Sequence, residues 1–434
     1  MKEDSKLPED SINSPLAHIS VAAPTPQVLR TLELGVISIV HYGLNTYEDT
    51  EWGYGNASPA LFNPPKLDAN QWMAATKAGE IKRMVFVCKH HDGFCLWPSP
   101  LNKDYTIANS PWKNGKGDLV KDVRDAALVA GIEFGAYLSP WDRHQASYAT
   151  PAYVNYYHAQ WDELMTHYGP ITEIWLDGAN GGDGWYGGNP GKRKLPCTAW
   201  DYYQMPRLLD TLHHRYPEAI NFGGATAYSM MWPGNEKGFV PNEYPYGNET
   251  MYWPPECDTP LRHKWFWHKD DKPKSLKELV DCYFSSVGRG GILNLGLAPT
   301  TDGLLDEQDV ARLAEFGAFV RAFNASNVAQ GLPWQQSETA EGTEYTLRLP
   351  APTPFNTLDF REELSQGMRI RSWKLLADGA EVASGTLAGF RRIARFDTIA
   401  PREVKLVVAC PVRCASAQWK APVRQIALRN SPQC

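Results

Sequence analysis

The chain has 434 residues, 43% hydrophobic and 21% charged, which is enough for one large domain and a smaller one around a substantial core. Its net charge of -6 and pI near 6.0 supply no broad positive field, which disfavours nucleic acid and anionic membranes as partners and points to something neutral. No apolar run reaches the ~18 residues that would span a bilayer. The first residues, Met1 to Asp10, lack the apolar core of a signal peptide, so a soluble chain is expected, with export left open.

Sixteen Trp and twenty Tyr suit a carbohydrate ligand, because aromatic faces stack on the C–H faces of sugars, although most such rings in any protein are core. The eight cysteines (88, 95, 197, 257, 282, 410, 414 and 434) contain no C-x-x-C pair, so neither a zinc knuckle nor a redox motif is indicated.

In chain order, a polar leader over 1–29 gives way to short apolar runs that suit buried parallel strands: Gly35 to Val40, Met84 to Cys88, Glu133 to Leu138, Glu173 to Leu176, Ala219 to Phe222 and Ile292 to Leu297. Helix-like stretches lie between them at Asp68 to Ala78, Asp118 to Ala130, Val154 to His167, Tyr202 to Arg215 and Leu276 to Val287, with a last helix over Asp306 to Phe323. This alternation predicts an α/β domain over 30–333, either a doubly wound sheet or a closed (β/α)8-type (TIM-like) barrel. Several runs end directly in polar or aromatic residues, namely His41, His90 with His91, Trp141 and Asp177. Strand C-termini share one face in a barrel, so this placement favours the barrel. From 334 to the end, short alternating stretches such as Glu344 to Leu349, Met368 to Leu376 and Val404 to Val408 predict a small antiparallel β-sandwich.

The chemistry centres on Ile174-Trp175-Leu176-Asp177-Gly178. A strand ending in a carboxylate, followed by a glycine that permits close approach, presents an acid from a rigid base. The bland reading is a turn or helix-capping aspartate. Trp175, two residues earlier, points to the same face. Lys89-His90-His91-Asp92-Gly93-Phe94 puts two imidazoles where a strand becomes a loop, suited to gripping hydroxyls. Metal binding competes, but adjacent histidines diverge and the usual ligand spacing is missing, and a hydrogen-bonded structural pair is a third reading. His41 and Glu51-Trp52 enter the same mouth if the barrel is right. A second acid is expected on the loop Trp232-Pro233-Gly234-Asn235-Glu236 or at Pro255-Glu256-Cys257-Asp258. Two carboxylates among imidazoles and indoles suit glycoside hydrolysis. Phosphate chemistry fits worse: the chain has no P-loop, and Gly181-Gly182-Asp183-Gly184 reads as a flexible loop.

Taken together, His41-Tyr42-Gly43, Glu51-Trp52, Lys89 to Phe94 and Trp175-Leu176-Asp177-Gly178 resemble the α-L-fucosidases of glycoside hydrolase family 29. The resemblance covers about residues 30 to 330 and extends to Phe355-Asn356 and Gly389-Phe390-Arg391-Arg392-Ile393. Tyr137 to Arg143, Asp177 to Gly181 and Gly234-Asn235-Glu236 are similar to the branch acting on α-1,3 and α-1,4 linkages of Lewis-type glycans. The resemblance implies Asp177 as nucleophile and Glu236 as acid/base, with Glu256 in reserve. It places His41, Glu51, Trp52, His90, His91 and Trp175 around the fucose, and makes Trp141 and Trp265 pocket contacts. Arg262 is expected to order one side of the pocket. A fucosylated oligosaccharide or glycoconjugate is the implied substrate, and no metal or organic cofactor is required. The chain departs from the family at Tyr42 and in a longer loop between Asp177 and Tyr202. The rival readings are a non-catalytic sugar-binding barrel and a metal-dependent hydrolase using His90 and His91.

Overall fold

The computed structural model describes residues 21–242, 244–339, 342–410 and 420–431. The first 20 residues of the leader, and Cys414 and Cys434, lie outside them. Eight parallel strands form one sheet: β1 Val36–Val40, β2 Arg83–Lys89, β3 Glu133–Leu138, β4 Glu173–Trp175, β5 Ile220–Phe222, β6 Ser229–Met230, β7 Glu256–Pro260 and β8 Ile292–Leu297. Their order is β6-β5-β4-β3-β2-β1-β8-β7, and a bridge between Met231 and Pro255 joins the two edges into a nearly closed barrel. The structure therefore resolves the choice left by periodicity in favour of the TIM-like barrel.

The apolar runs are continuous because both faces of the barrel strands are covered. Val36, Met84, Phe86, Phe134, Leu138 and Ile174 pack outward in the core shared with the helices. Ile37, Ile39, Val85, Val87, Tyr137, Trp175, Ile220 and Phe222 fill the barrel. Helices start where short polar side chains satisfy their free N–H groups. Asp68 accepts from Asn70 N, Asp118 from Lys121 N and Asp306 from Gln308 N, and Ser275 and Glu278 cap each other's ends.

Two barrel strands have no apolar signal in the sequence. The chain between β5 and β6 is turned back by Gly223, Gly224 and Ala225, all at positive φ (76°, 87° and 41°), so β6 is only two residues long. Strand β7, Glu-Cys-Asp-Thr-Pro, is fully buried yet polar.

The lower barrel is polar and locked. Arg83, 0% exposed, donates to Glu133 (2.6 Å) and Glu173 (3.0 Å). The Glu173 carboxyl faces that of Glu256, whose Oε1 accepts from the Trp175 indole (2.9 Å) and Asn294 (2.8 Å). Burial and repulsion from Glu173 hold the Glu256 carboxyl far above the usual carboxylate range. One proton on Glu256 and one arginine on Glu173 thus satisfy two acids in a dry core. Arg83→Met, which strands Glu173 without its cation, is expected to cost about 3–5 kcal/mol of unfolding free energy, read as a lowered denaturant midpoint.

After the helix Glu307–Ala325, a five-stranded antiparallel sheet (Gln335–Glu338, Thr343–Arg348, Glu403–Ala409, Ser372–Ala377 and Ala380–Thr386) faces a three-stranded one (Arg392–Ile399, Phe355–Glu362 and Val423–Arg429). Phe355, Leu358, Phe360, Trp373, Leu375, Val404, Leu406 and Leu428 fill the space between. Asp359 joins the sandwich to the barrel. It accepts from Arg391 (2.7 Å) and Arg429 (2.6 Å), and Arg391 reaches Tyr283 (3.1 Å) and Asn324 (2.8 Å).

Candidate active site

Period two along each strand decides which side chains reach the barrel mouth. On β1 the interior series 37, 39 continues to His41; on β4 the series 173, 175 continues to Asp177; on β7, Glu256 is followed by Asp258. At this C-terminal end a cavity of about 610 Å³ is lined by His41, Trp52, His90, His91, Trp175, Asp177, Glu236, Asp258 and Trp265. Trp200, Phe222, Met231 and Trp232 complete its wall.

Asp177 is held at both oxygens. Tyr137 Oη donates to Oδ2 (2.7 Å) and the backbone N–H of Ala179 donates to Oδ1 (2.7 Å). These bonds fix the carboxylate while its side chain stays 22% exposed to the cavity. Tyr137 opens the Tyr137 to Arg143 motif, which gave it no role of its own; its interior parity on β3 is what brings its hydroxyl to Asp177.

The three histidines are neutral. Burial pushes His41 down to about 3 and lowers His90 and His91. Hydrogen bonds assign the tautomers of His90 and His91. Asn45 accepts from Gly53 N through Oδ1 (3.2 Å), so its Nδ2 is the donor to His90 Nδ1 (3.3 Å), which leaves the His90 proton on Nε2. Ser139 gives its hydroxyl hydrogen to Trp141 O (2.7 Å) and accepts from His91 Nδ1 (2.6 Å). His91 Nε2 is therefore a bare acceptor, 3.7 Å from Asp177 Oδ2. Adjacent imidazoles thus offer one donor and one acceptor, a set that suits sugar hydroxyls. Among the described residues no group of three or more His, Cys, Asp or Glu is placed to hold a metal.

Glu236 sits on an exposed loop and accepts from the Trp265 indole (3.2 Å). Trp265 is in turn positioned by Glu51, whose carboxylate accepts from the backbone N–H groups of Trp265 (2.8 Å) and Phe266 (3.2 Å) and contacts His268 (2.8 Å). Glu51 is therefore not a wall of the cavity, as the resemblance implied, but the brace behind Trp265.

Three further expectations are corrected. Trp141 is buried one layer back, its indole donating to Tyr186 (3.0 Å) and its ring against Trp52 and His91. Arg262 is not a substrate contact, since it lies outside the cavity with its guanidinium held by Asp309 (2.9 Å) and Asp306 (3.2 Å). It also donates to the carbonyl of Asp271, whose carboxylate accepts from His263 N and Lys264 N, which agrees with the expected ordering of that side. Glu256, expected on a loop, is 0% exposed on β7 and bound by Trp175 and Asn294, so the reserve acid has no access to substrate. The Gly181 to Gly184 segment also departs from a flexible loop: Gly182–Gly184 pairs with Gly191–Arg193 as a hairpin, and Gly182 approaches the Trp141 ring.

Comparison with known proteins adds a family. The model of the α-L-fucosidase family matches residues 27–325. The chain is similar to α-L-fucosidase 1 of Arabidopsis thaliana, 34% identical over 89% of this chain and 84% of the relative. It is also similar to the crystal structure of a glycoside hydrolase 29 family member from an unknown rumen bacterium, with a TM-score of 0.87 and 32% identity over 96% of this chain and 79% of that one. A Ruminococcus gnavus family 29 fucosidase in complex with fucose shares the fold, with a TM-score of 0.82 and 24% identity over 99% of this chain and 97% of that one.

Proposed function

We propose that this chain, which belongs to the α-L-fucosidase family of glycoside hydrolases, family 29, releases fucose by a retaining double displacement with Asp177 as nucleophile and Glu236 as acid/base. The observation that carries this reading is one cavity holding both acids, with Asp177 held at both oxygens by Tyr137 and the Ala179 N–H group. Asp177 attacks C1 of the sugar. The C1–O bond breaks as its electron pair takes the proton of Glu236, and the leaving sugar departs as an alcohol. Glu236 then removes a proton from water, whose oxygen bonds to C1 as the Asp177 ester opens. The neutral histidines suit an uncharged substrate, with the His90 N–H group and the His91 lone pair each matched to a hydroxyl.

The substrate class we assign is α-1,3- or α-1,4-linked fucose on branched, Lewis-type glycans. The motif similarity supports it. So does the cavity: at about 610 Å³ it is in the range of sites for ligands larger than one sugar ring, and the indoles of Trp200 and Trp232, 37% and 49% exposed, stand at its wall to stack on leaving-group sugars.

Proton NMR of a reaction on a Lewis-type trisaccharide tests both parts. The α-anomer of fucose is expected first, followed by mutarotation, with α-1,2-linked oligosaccharides turned over more slowly. The β-anomer appearing first contradicts retention, and faster α-1,2 cleavage contradicts the linkage.

A further inference from the structure

A third carboxyl lines the cavity beside Asp177 and Glu236, and neither the double displacement nor the family motifs use it. Asp258 lies on β7 one interior layer above Glu256, opposite Asn294 of β8, and is 3% exposed. The Trp232 indole N–H donates to the Asp258 carboxyl, which partly offsets the effect of burial, while its Oδ1 is buried with no hydrogen-bond partner. We propose that Asp258 is a further substrate-binding residue, whose carboxyl donates a hydrogen bond to a hydroxyl of the terminal fucosyl unit.

The charge of the cavity supports a donor rather than an acceptor. No Lys or Arg is among the residues that line it, and its histidines His41, His90 and His91 are held neutral by burial. An ionised Asp258 would meet Asp177 from the end of β4 and Glu236 from the loop after β6, with the Cys257 thiol on its own strand; the Arg289 cation near that strand acts on Cys257 and does not line the cavity. A buried carboxyl so placed keeps its proton. Burial, then Glu236 and Asp177, push the group up to about 8. Protonated, it has an O–H to give and no protein acceptor for Oδ1; a sugar hydroxyl supplies one. Its depth puts it against the sugar that enters first, the terminal one, rather than against the leaving group. The sign of the pH dependence follows: the donor is present below about 8 and lost as pH rises through that value.

The inference rests on the proposed placement of fucose in this cavity, and L-fucose binding followed by calorimetry from pH 6 to 9 tests it. The wild-type Kd is expected to be flat to pH 7 and to weaken about tenfold by pH 9, the loss of one hydrogen bond. Asp258→Asn, which keeps the shape and an N–H donor without a titrating proton, is expected to stay within about threefold of wild type at pH 6 and to remain flat to pH 9. Asp258→Leu should bind about tenfold more weakly at pH 6. In Glu236→Gln, which removes the charge of the other acid of that wall, the alkaline weakening should persist with its midpoint moved to lower pH. An alkaline limb that survives in Asp258→Asn, or vanishes in Glu236→Gln, overturns the assignment to Asp258 while leaving the fucose site standing. Wild-type protein that binds no fucose at any pH overturns both.

Discussion

Replacing Asp177 by alanine is expected to lower kcat by about four orders of magnitude or more, the scale on which loss of a covalent nucleophile is felt. The melting temperature should hardly move. The side chain fills no core space, and its removal leaves Tyr137 and the Ala179 N–H group facing a cavity open to water. The variant also offers a stereochemical readout. The space vacated beside C1 admits a small anion, so azide with an activated aryl fucoside should restore turnover by direct displacement and yield the β-fucosyl azide. A variant retaining a tenth of wild-type activity would place the nucleophile elsewhere.

Glu236→Gln is expected to lower kcat about 10²- to 10⁴-fold on oligosaccharides, whose leaving groups need a proton, and much less on an aryl fucoside whose leaving group does not. Glutamine keeps an oxygen for the Trp265 indole, so the loop should hold its place and the loss should report proton transfer rather than disorder. Here azide attacks the fucosyl-enzyme, and the product should be the α-fucosyl azide. Opposite azide anomers from the two variants would assign the two roles; the same anomer from both would contradict the division of labour.

The sequence made the barrel legible wherever strands were buried on both faces by apolar residues. Runs such as Met84 to Cys88 and Ile292 to Leu297 carry that signal directly, and the helix starts at Asp68, Asp118 and Asp306 carry theirs in the capping side chain. It concealed β6, which is a two-residue strand set by a left-handed turn, and β7, whose Glu256 and Asp258 look like a loop because they are acids. Strand β7 is polar because its interior face meets polar partners and the cavity rather than apolar core. Glu256 supports the Trp175 indole and Asp258 lines the cavity, and local hydropathy cannot distinguish that from solvent exposure.

The site was legible in its motifs and less so in its division of roles. Asp177, His41, His90, His91, Trp52, Trp175, Trp265 and Glu236 come together around one cavity. Glu51, Trp141 and Arg262 do not, because their partners lie far away in the chain: Glu51 meets Trp265 and Phe266, Trp141 meets Tyr186, and Arg262 meets Asp309. Motif spacing says which residues stand near the mouth. It does not say which face the substrate and which brace those that do.

The most direct test of the account is to trap the intermediate. A 2-deoxy-2-fluoro-fucosyl fluoride forms the glycosyl-enzyme and slows its hydrolysis, so the protein should gain the mass of one fluorofucosyl unit, and peptide mapping should place the ester on Asp177. Inactivation with the label on Glu236 or Asp258, or turnover of the reagent with no covalent adduct at any time, would contradict it.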